Sequence, residues 1–134
     1  MTSNIFELVP ETHHALLEAT WAAAMVTLDS TSRPQTTAVW YLADRESGEL
    51  QISLSDARVK FKHLQGNPEV DFFLVDPANQ FHTLEVRGTA VIAEDGGLAA
   101  KVGAKYDADV TNWDGPSDVR HAVTIVVRRV VANG

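Results

Sequence analysis

Leu50-Gln51-Ile52-Ser53-Leu54-Ser55 is the stretch on which the fold class turns. Its side chains alternate without a fault: Leu50, Ile52 and Leu54 fall on one face of an extended backbone, and Gln51, Ser53 and Ser55 on the other. That period of two marks a strand with one face in the core and one in water. Directly after it, residues 56–65 (DARVKFKHLQ) have helical character, and Gly66-Asn67-Pro68 stops them. Glycine readily takes the conformation that ends a helix, and proline cannot continue one.

Working toward the N-terminus, the turn Asp44-Arg45-Glu46-Ser47-Gly48 is preceded by a strand over Gln35–Leu42 (QTTAVWYL). The polar turn Asp29–Pro34 precedes that, then a strand over Ala22–Leu28, then a short helix over 11–20 with Pro10 or Thr12 near its start. Working toward the C-terminus, Val70–Val75 reads as a buried strand closed by Asp76-Pro77-Ala78-Asn79. Leu84–Ile92 again alternates, Gly97–Tyr106 forms a helix, residues 107–118 are an irregular loop, and the valine-rich His121–Val131 is the last strand. Six strands with two or three short helices, joined mostly by hairpin-length turns, favour a closed or nearly closed antiparallel β-barrel over a parallel α/β sheet. No linker or repeat interrupts residues 1–134, which read as one domain.

Composition removes several function classes. There is no cysteine, so a disulfide framework, thiol catalysis and cysteine-ligated metals are excluded. The five histidines have no ligand spacing such as H-E-x-x-H, so no metal is expected, and no P-loop, G-x-G-x-x-G or G-x-S-x-G is present. A net charge of −7 argues against nucleic acid or an anionic membrane as partner. No apolar run approaches the roughly 20 residues of a membrane span, and Met1–Asn4 carries no basic leader, so a cytoplasmic protein is expected. Against this acidic background Arg58, Lys60 and Lys62 put three of eleven basic side chains within five residues.

Those basic residues stand at a strand-to-helix junction. The N-terminus of a helix offers unpaired N–H donors and positive partial charge, so it suits a phosphate. Arg58 can add a two-pronged fork and Lys60 a point charge, while Ser55 or Asp56 can cap the helix. The competing reading is a solvated basic helix face paired with Asp56, and Lys62 reads as plain surface.

Three segments in order and in register carry a resemblance: Pro34 with Ala38-Val39-Trp40-Tyr41; Ile52-Ser53-Leu54-Ser55 with Arg58, Lys60, Leu64, Asn67 and Pro68; and Val75-Asp76-Pro77 with Leu84-Glu85-Val86-Arg87-Gly88. From about Pro10 to Val130 the chain resembles the pyridoxamine-phosphate-oxidase-like, FMN-binding type split β-barrels, and within them the branch that binds the deazaflavin coenzyme F420. It departs from that pattern at Ala38, where a proline is usual, at His63, where an asparagine is common, and at Gln65-Gly66, which replaces an arginine-rich stretch.

The resemblance implies a six-stranded antiparallel split barrel and a homodimer with cofactor sites in grooves between the subunits. It assigns Arg58 and Lys60 to the cofactor phosphate beside Ser53 and Ser55. Thr37, Ala38 and Val39 would border the cofactor ring, and Trp40 would pack beneath it or at the dimer seam. Glu85 and Arg87, on one face of a strand, read as a structural cross-strand pair or a dimer contact, His82 as a loop residue able to reach the groove as a proton donor, and His13-His14 as part of a surface helix. Loop 107–118, with Val110, Trp113 and Pro116, would shape the pocket entrance or cover the barrel end. No catalytic acid or base is nominated, because a hydride-transfer cofactor carries the chemistry and the protein supplies binding, orientation and dryness. The expected function is F420H2-dependent reduction of an unsaturated organic acceptor. An FMN-dependent oxidase or reductase, a flavin- or deazaflavin-binding protein without turnover, and a barrel that has lost its cofactor are the alternatives.

Overall fold

A computed structural model describes residues 4–134, so the reading of Met1–Ser3 as lacking a leader lies outside the described residues. Seven strands are present among them, one more than expected: β1 (Ala23–Leu28), β2 (Pro34–Val39), β3 (Leu42–Ala43), β4 (Leu50–Ser55), β5 (Glu69–Asp76), β6 (Asn79–Glu94) and β7 (Arg120–Asn133). All strand pairs are antiparallel, in the order β2-β1-β5-β6-β7-β4-β3. β2 and β3 therefore hold opposite edges of the sheet, yet only Trp40 and Tyr41 separate them. Three Cα steps span at most about 11 Å, whereas seven flat strands would put the edges roughly 29 Å apart. The sheet must curl until its two edges face each other, and this is the split barrel.

The seventh strand arises where one continuous strand was expected over 35–42. Tyr41 interrupts it because side chains take over its ladder bonds. Its N–H donates to the Tyr106 hydroxyl at 3.3 Å, its carbonyl accepts from Lys105 Nζ at 2.8 Å, and its own hydroxyl donates to the Leu16 carbonyl at 2.6 Å. The Tyr41 ring is completely buried. Burial pushes its hydroxyl well above the ordinary tyrosine range, lifts Tyr106 to about 12, and brings the Lys105 ammonium down to about 8.

The helices are shorter than the pattern implied. The segment expected as one helix over 11–20 is a single 3₁₀ turn, Glu11–His13, running into α2 (His14–Leu17), and a further short helix, α1 (Ile5–Leu8), precedes it. His13 is not a surface residue: it is buried, with Nε2 donating to the Asn133 carbonyl at 2.8 Å. α3 covers Val59–Gly66 and α4 covers Leu98–Tyr106.

The alternating leucines and isoleucine of β4 point into the curl, where they meet Met25, Phe72, Leu74, Leu84, Val86 and Val123. A second, smaller cluster of Leu98, Val102 and Ala122 fixes α4 against the opposite face of β4 and β7. Gly88 marks a shift in the β6–β7 register, and a Cβ there would collide with the Val126 carbonyl oxygen. That close approach is what requires glycine after Arg87. No helix among the described residues is long and apolar enough to cross a membrane.

Candidate functional site

The outward face of β4 leads straight into a pinned corner. Ser55 Oγ accepts the Ala57 N–H at 3.2 Å, and the Arg58 N–H donates to the Ser55 carbonyl at 3.1 Å. Asp56 is tied to the start of β7: its N–H donates to the Val119 carbonyl at 2.9 Å, and its carboxylate accepts the Val119 N–H at 3.0 Å. Neither Ser55 nor Asp56 caps the helix, contrary to the sequence expectation. Both are spent inside the corner, so α3 begins three residues later with Arg58 at the cap position and no side-chain bond there. Nor does Asp56 neutralise the basic face. Among the described residues Arg58, Lys60 and Lys62 form no ion pair.

Lys60, in the first turn of α3, reaches across to β2, where Nζ donates to Thr37 Oγ1 at 3.0 Å. Burial, and then the neighbouring charge of Arg58, push this ammonium below the ordinary lysine value. The protein holds two cations together at a cost in charge repulsion, a cost that an incoming anion would remove.

These residues border a cleft of about 430 Å³. Ala38, Val39, Ser53, Ser55, Arg58 and Lys60 all line it, while Thr37 stands behind Lys60. Ala22, Trp40 and Val102 supply apolar wall. Trp40 stacks flat on Tyr106, with ring centroids 4.3 Å apart at 5°, and meets the edge of Trp113 at 5.7 Å. Of the 107–118 loop, Trp113 reaches the cleft; Val110 packs on Gly103 instead, and Pro116 is exposed and does not line it.

Arg120, which the sequence reading passed over, also lines the cleft. It stands at the start of β7 directly across from Ser55 in the β4–β7 register. No local motif marks it; only the strand pairing brings it to the corner. His82 lies elsewhere: Nδ1 is 3.0 Å from the Gly134 carbonyl and its ring is 4.0 Å from that of His13. It does not line the cleft, so the expectation that it reaches the groove is not met. Glu85 and Arg87 form an ion pair at 2.9 Å on β6, with Asp71 of β5 opposite Arg87. Among the described residues no cluster of three or more metal-ligating side chains occurs.

The residues fit a cofactor with an anionic head and a flat apolar body. The lining gathers two hydroxyls, the Arg58 and Arg120 guanidiniums and the Lys60 ammonium together with small and aromatic side chains, and Ala22 and Ala38 leave the adjacent backbone approachable.

Residues 9–132 match the pyridoxamine 5'-phosphate oxidase family, and the chain belongs to that family. No curated protein sequence matches it. Among solved structures, one described as an F420 reductase is 29% identical, with a TM-score of 0.79 over 92% of this chain and 98% of that one. The General Stress Protein 26 from Bacillus anthracis is 16% identical, with a TM-score of 0.71 over 92% of each chain. A putative pyridoxamine 5'-phosphate oxidase from Listeria innocua is 19% identical, with a TM-score of 0.68 over 91% of this chain and 95% of that one. The last two are similar in fold.

Proposed function

We propose that this protein is an oxidoreductase that uses reduced coenzyme F420 to deliver a hydride to an unsaturated organic acceptor. The carrying observation is the pair Arg58 and Lys60, without an ion-pair partner among the described residues, at the corner of a cleft that also has apolar walls. The similarity to a structure described as an F420 reductase supports deazaflavin over other flavin-like cofactors.

Ser53, Ser55, Arg58 and Lys60 would hold the cofactor's phosphate through charge-assisted hydrogen bonds. β2 lies at the sheet edge and pairs only with β1, so alternate N–H and C=O groups of its backbone are free to meet the polar rim of a ring. Thr37, Ala38 and Val39 are the residues from which those groups come. Val39, Val102 and Trp40 exclude water from the ring. When bound, the deazaflavin supplies the hydride; the chain contributes binding, orientation and a dry wall.

A homodimer belongs to the same reading. The outer sheet face exposes Phe73, Val91 and Val126, the last two at 50% and 54% of full exposure. Apolar residues so exposed on one sheet are costly unless a partner covers them. A cytoplasmic location, with neither nucleic acid nor membrane as partner, fits the acidic surface. FMN is the second cofactor reading, since its phosphate suits the same corner. A protein that binds cofactor without turnover is the third.

Titration with coenzyme F420 and with FMN, followed by tryptophan fluorescence, tests the assignment, because Trp40 and Trp113 line the cleft. Arg58→Ala and Lys60→Ala are each expected to weaken binding by about 1.5–3 kcal/mol and to leave the melting temperature of the free protein unchanged. If the free protein unfolds earlier while affinity holds, the phosphate assignment is wrong. Reoxidation of F420H2 on adding candidate acceptors separates an enzyme from a carrier.

A further inference from the structure

The 107–119 loop lays one carboxylate on the cleft's third cation. Arg120 Nε donates to Asp114 Oδ2 at 2.9 Å, and Nη1 donates to the Ser53 carbonyl and hydroxyl oxygens, each at 3.2 Å. The guanidinium carbon lies 4.8 Å from the centre of the Trp113 ring. Nη2 meets no acceptor among the described residues. The Arg120 side chain is only 15% exposed and that of Asp114 26%, so their attraction is screened less than that of a fully exposed pair.

The loop's other polar bonds are mostly internal. Asp109 accepts from Thr111, and Asp118 accepts the Gly115 N–H. Beside the Val119–Asp56 hydrogen bond at its end, the Asp114–Arg120 pair is the one ion pair from the loop to the barrel among the described residues. Asp95, the other acid near this corner, accepts from Ser53 Oγ and from the Ala99 N–H at the start of α4, and does not engage Arg120.

We propose that Arg120 is a third anion-binding residue of the cleft and that Asp114 is a built-in competitor for it. An anionic group of the ligand displaces the Asp114 carboxylate from the guanidinium and frees the loop that carries Trp113. This rests on the cofactor reading above, and extends it to a residue across the sheet from the strand–helix corner. The physical ground is occupancy. Arg120 lines the cleft, and a fork that already bonds Ser53 through one nitrogen has two further nitrogens, one of them held by a carboxylate on an irregular loop. Swapping one oxyanion for another keeps the guanidinium paired throughout, so the exchange avoids leaving a largely buried charge alone.

The test is a double-mutant cycle read as affinity for coenzyme F420 and for FMN in the fluorescence titration. Asp114→Asn keeps an acceptor oxygen for loop geometry but removes the competing charge, and should tighten binding about threefold to tenfold. Arg120→Ala should weaken binding about tenfold or more, with Arg120→Lys used where the alanine variant does not fold. In the Arg120→Ala background, Asp114→Asn should give no gain, a dependence that a merely structural loop contact would not show. Unchanged or weaker binding by Asp114→Asn overturns the proposal, as does a gain that persists without Arg120. If Arg58→Ala weakens binding while Asp114→Asn does not tighten it, the cofactor reading stands and this inference alone falls. If the wild-type protein binds neither cofactor, both fall.

Discussion

Asp71→Asn should stabilise the protein at alkaline pH and leave it unchanged in mild acid. Asp71 projects from β5 opposite Arg87, and Glu85 stands two register pairs away on β6. Burial first, then the hydrogen bond and charge of Glu85, push the Asp71 carboxyl up to about 7 from an ordinary 3.8; Arg87 and the Phe72 N–H pull the other way. Arg87 holds Glu85 below its usual range, with Arg129 of β7 adding to the effect. Between about 4 and 7 the folded protein therefore keeps a proton that the unfolded chain has released. The folded state binds more protons, so stability falls as pH rises through that window. A displacement of about 3 in pKa corresponds to about 4 kcal/mol for a fully enclosed group. Asp71 is only partly buried, and Glu85 offsets part of the loss, so the expected cost is about 1–2 kcal/mol. Asparagine retains an N–H donor for Glu85 and cannot ionise. Denaturant unfolding at intervals from pH 4.5 to 8.5 should show the two proteins alike near pH 5 and the variant ahead by about 1–2 kcal/mol at pH 8. Parallel profiles across the whole range would refute the reasoning, because they would mean that Asp71 titrates alike in both states.

Tyr41→Phe removes the hydroxyl that satisfies the Leu16 carbonyl in the core, and should cost about 1–2 kcal/mol in chemical denaturation; no measurable loss would mean that water reaches that carbonyl. Gly88→Ala drives a methyl group into the Val126 carbonyl, with an expected loss of about 1–3 kcal/mol by the same assay. A wild-type melting temperature in that variant would show that β7 can shift at its bulge. Cofactor affinity should fall as salt is raised, because the site attracts its ligand through cations that the solvent reaches, and should fall more steeply for coenzyme F420, with its polyglutamate tail, than for FMN. Equal slopes would remove the tail from the binding interaction.

The strands legible in the sequence are those whose partners enforce a clean alternation. Leu50, Ile52 and Leu54 face one shared core, so β4 has the bounds its pattern shows. The helices and the break at Tyr41 depend on something else. Nothing between Gln35 and Leu42 announces an interruption, since Val39, Trp40 and Tyr41 all favour extended structure. The strand stops because Lys105 and Tyr106, some 65 residues onward, bond its backbone. β6 and β7 run several residues beyond their apolar cores for a related reason: their long antiparallel ladder lets polar ends keep pairing after the hydrophobic signal has stopped.

The same division between local and distant information governs the cleft. Ser53, Ser55, Arg58 and Lys60 follow one another within eight positions, so a strand-to-helix turn is enough to gather them, and spacing alone can suggest an anion site. Arg120 and Trp113 enter only when β7 is paired beside β4, and that register is set by the buried Ile52–Val123 contact on the opposite face. A one-residue slip would turn Arg120 inward and expose Val123. The hydrophobic alternation of β7 therefore does two jobs at once: it seals the barrel, and in doing so it fixes which charged side chain stands across from Ser55. A residue chosen by the core to lie beside the phosphate corner carries no signature of its own in the sequence. Its contribution to binding can be recognised only from where the fold has delivered it.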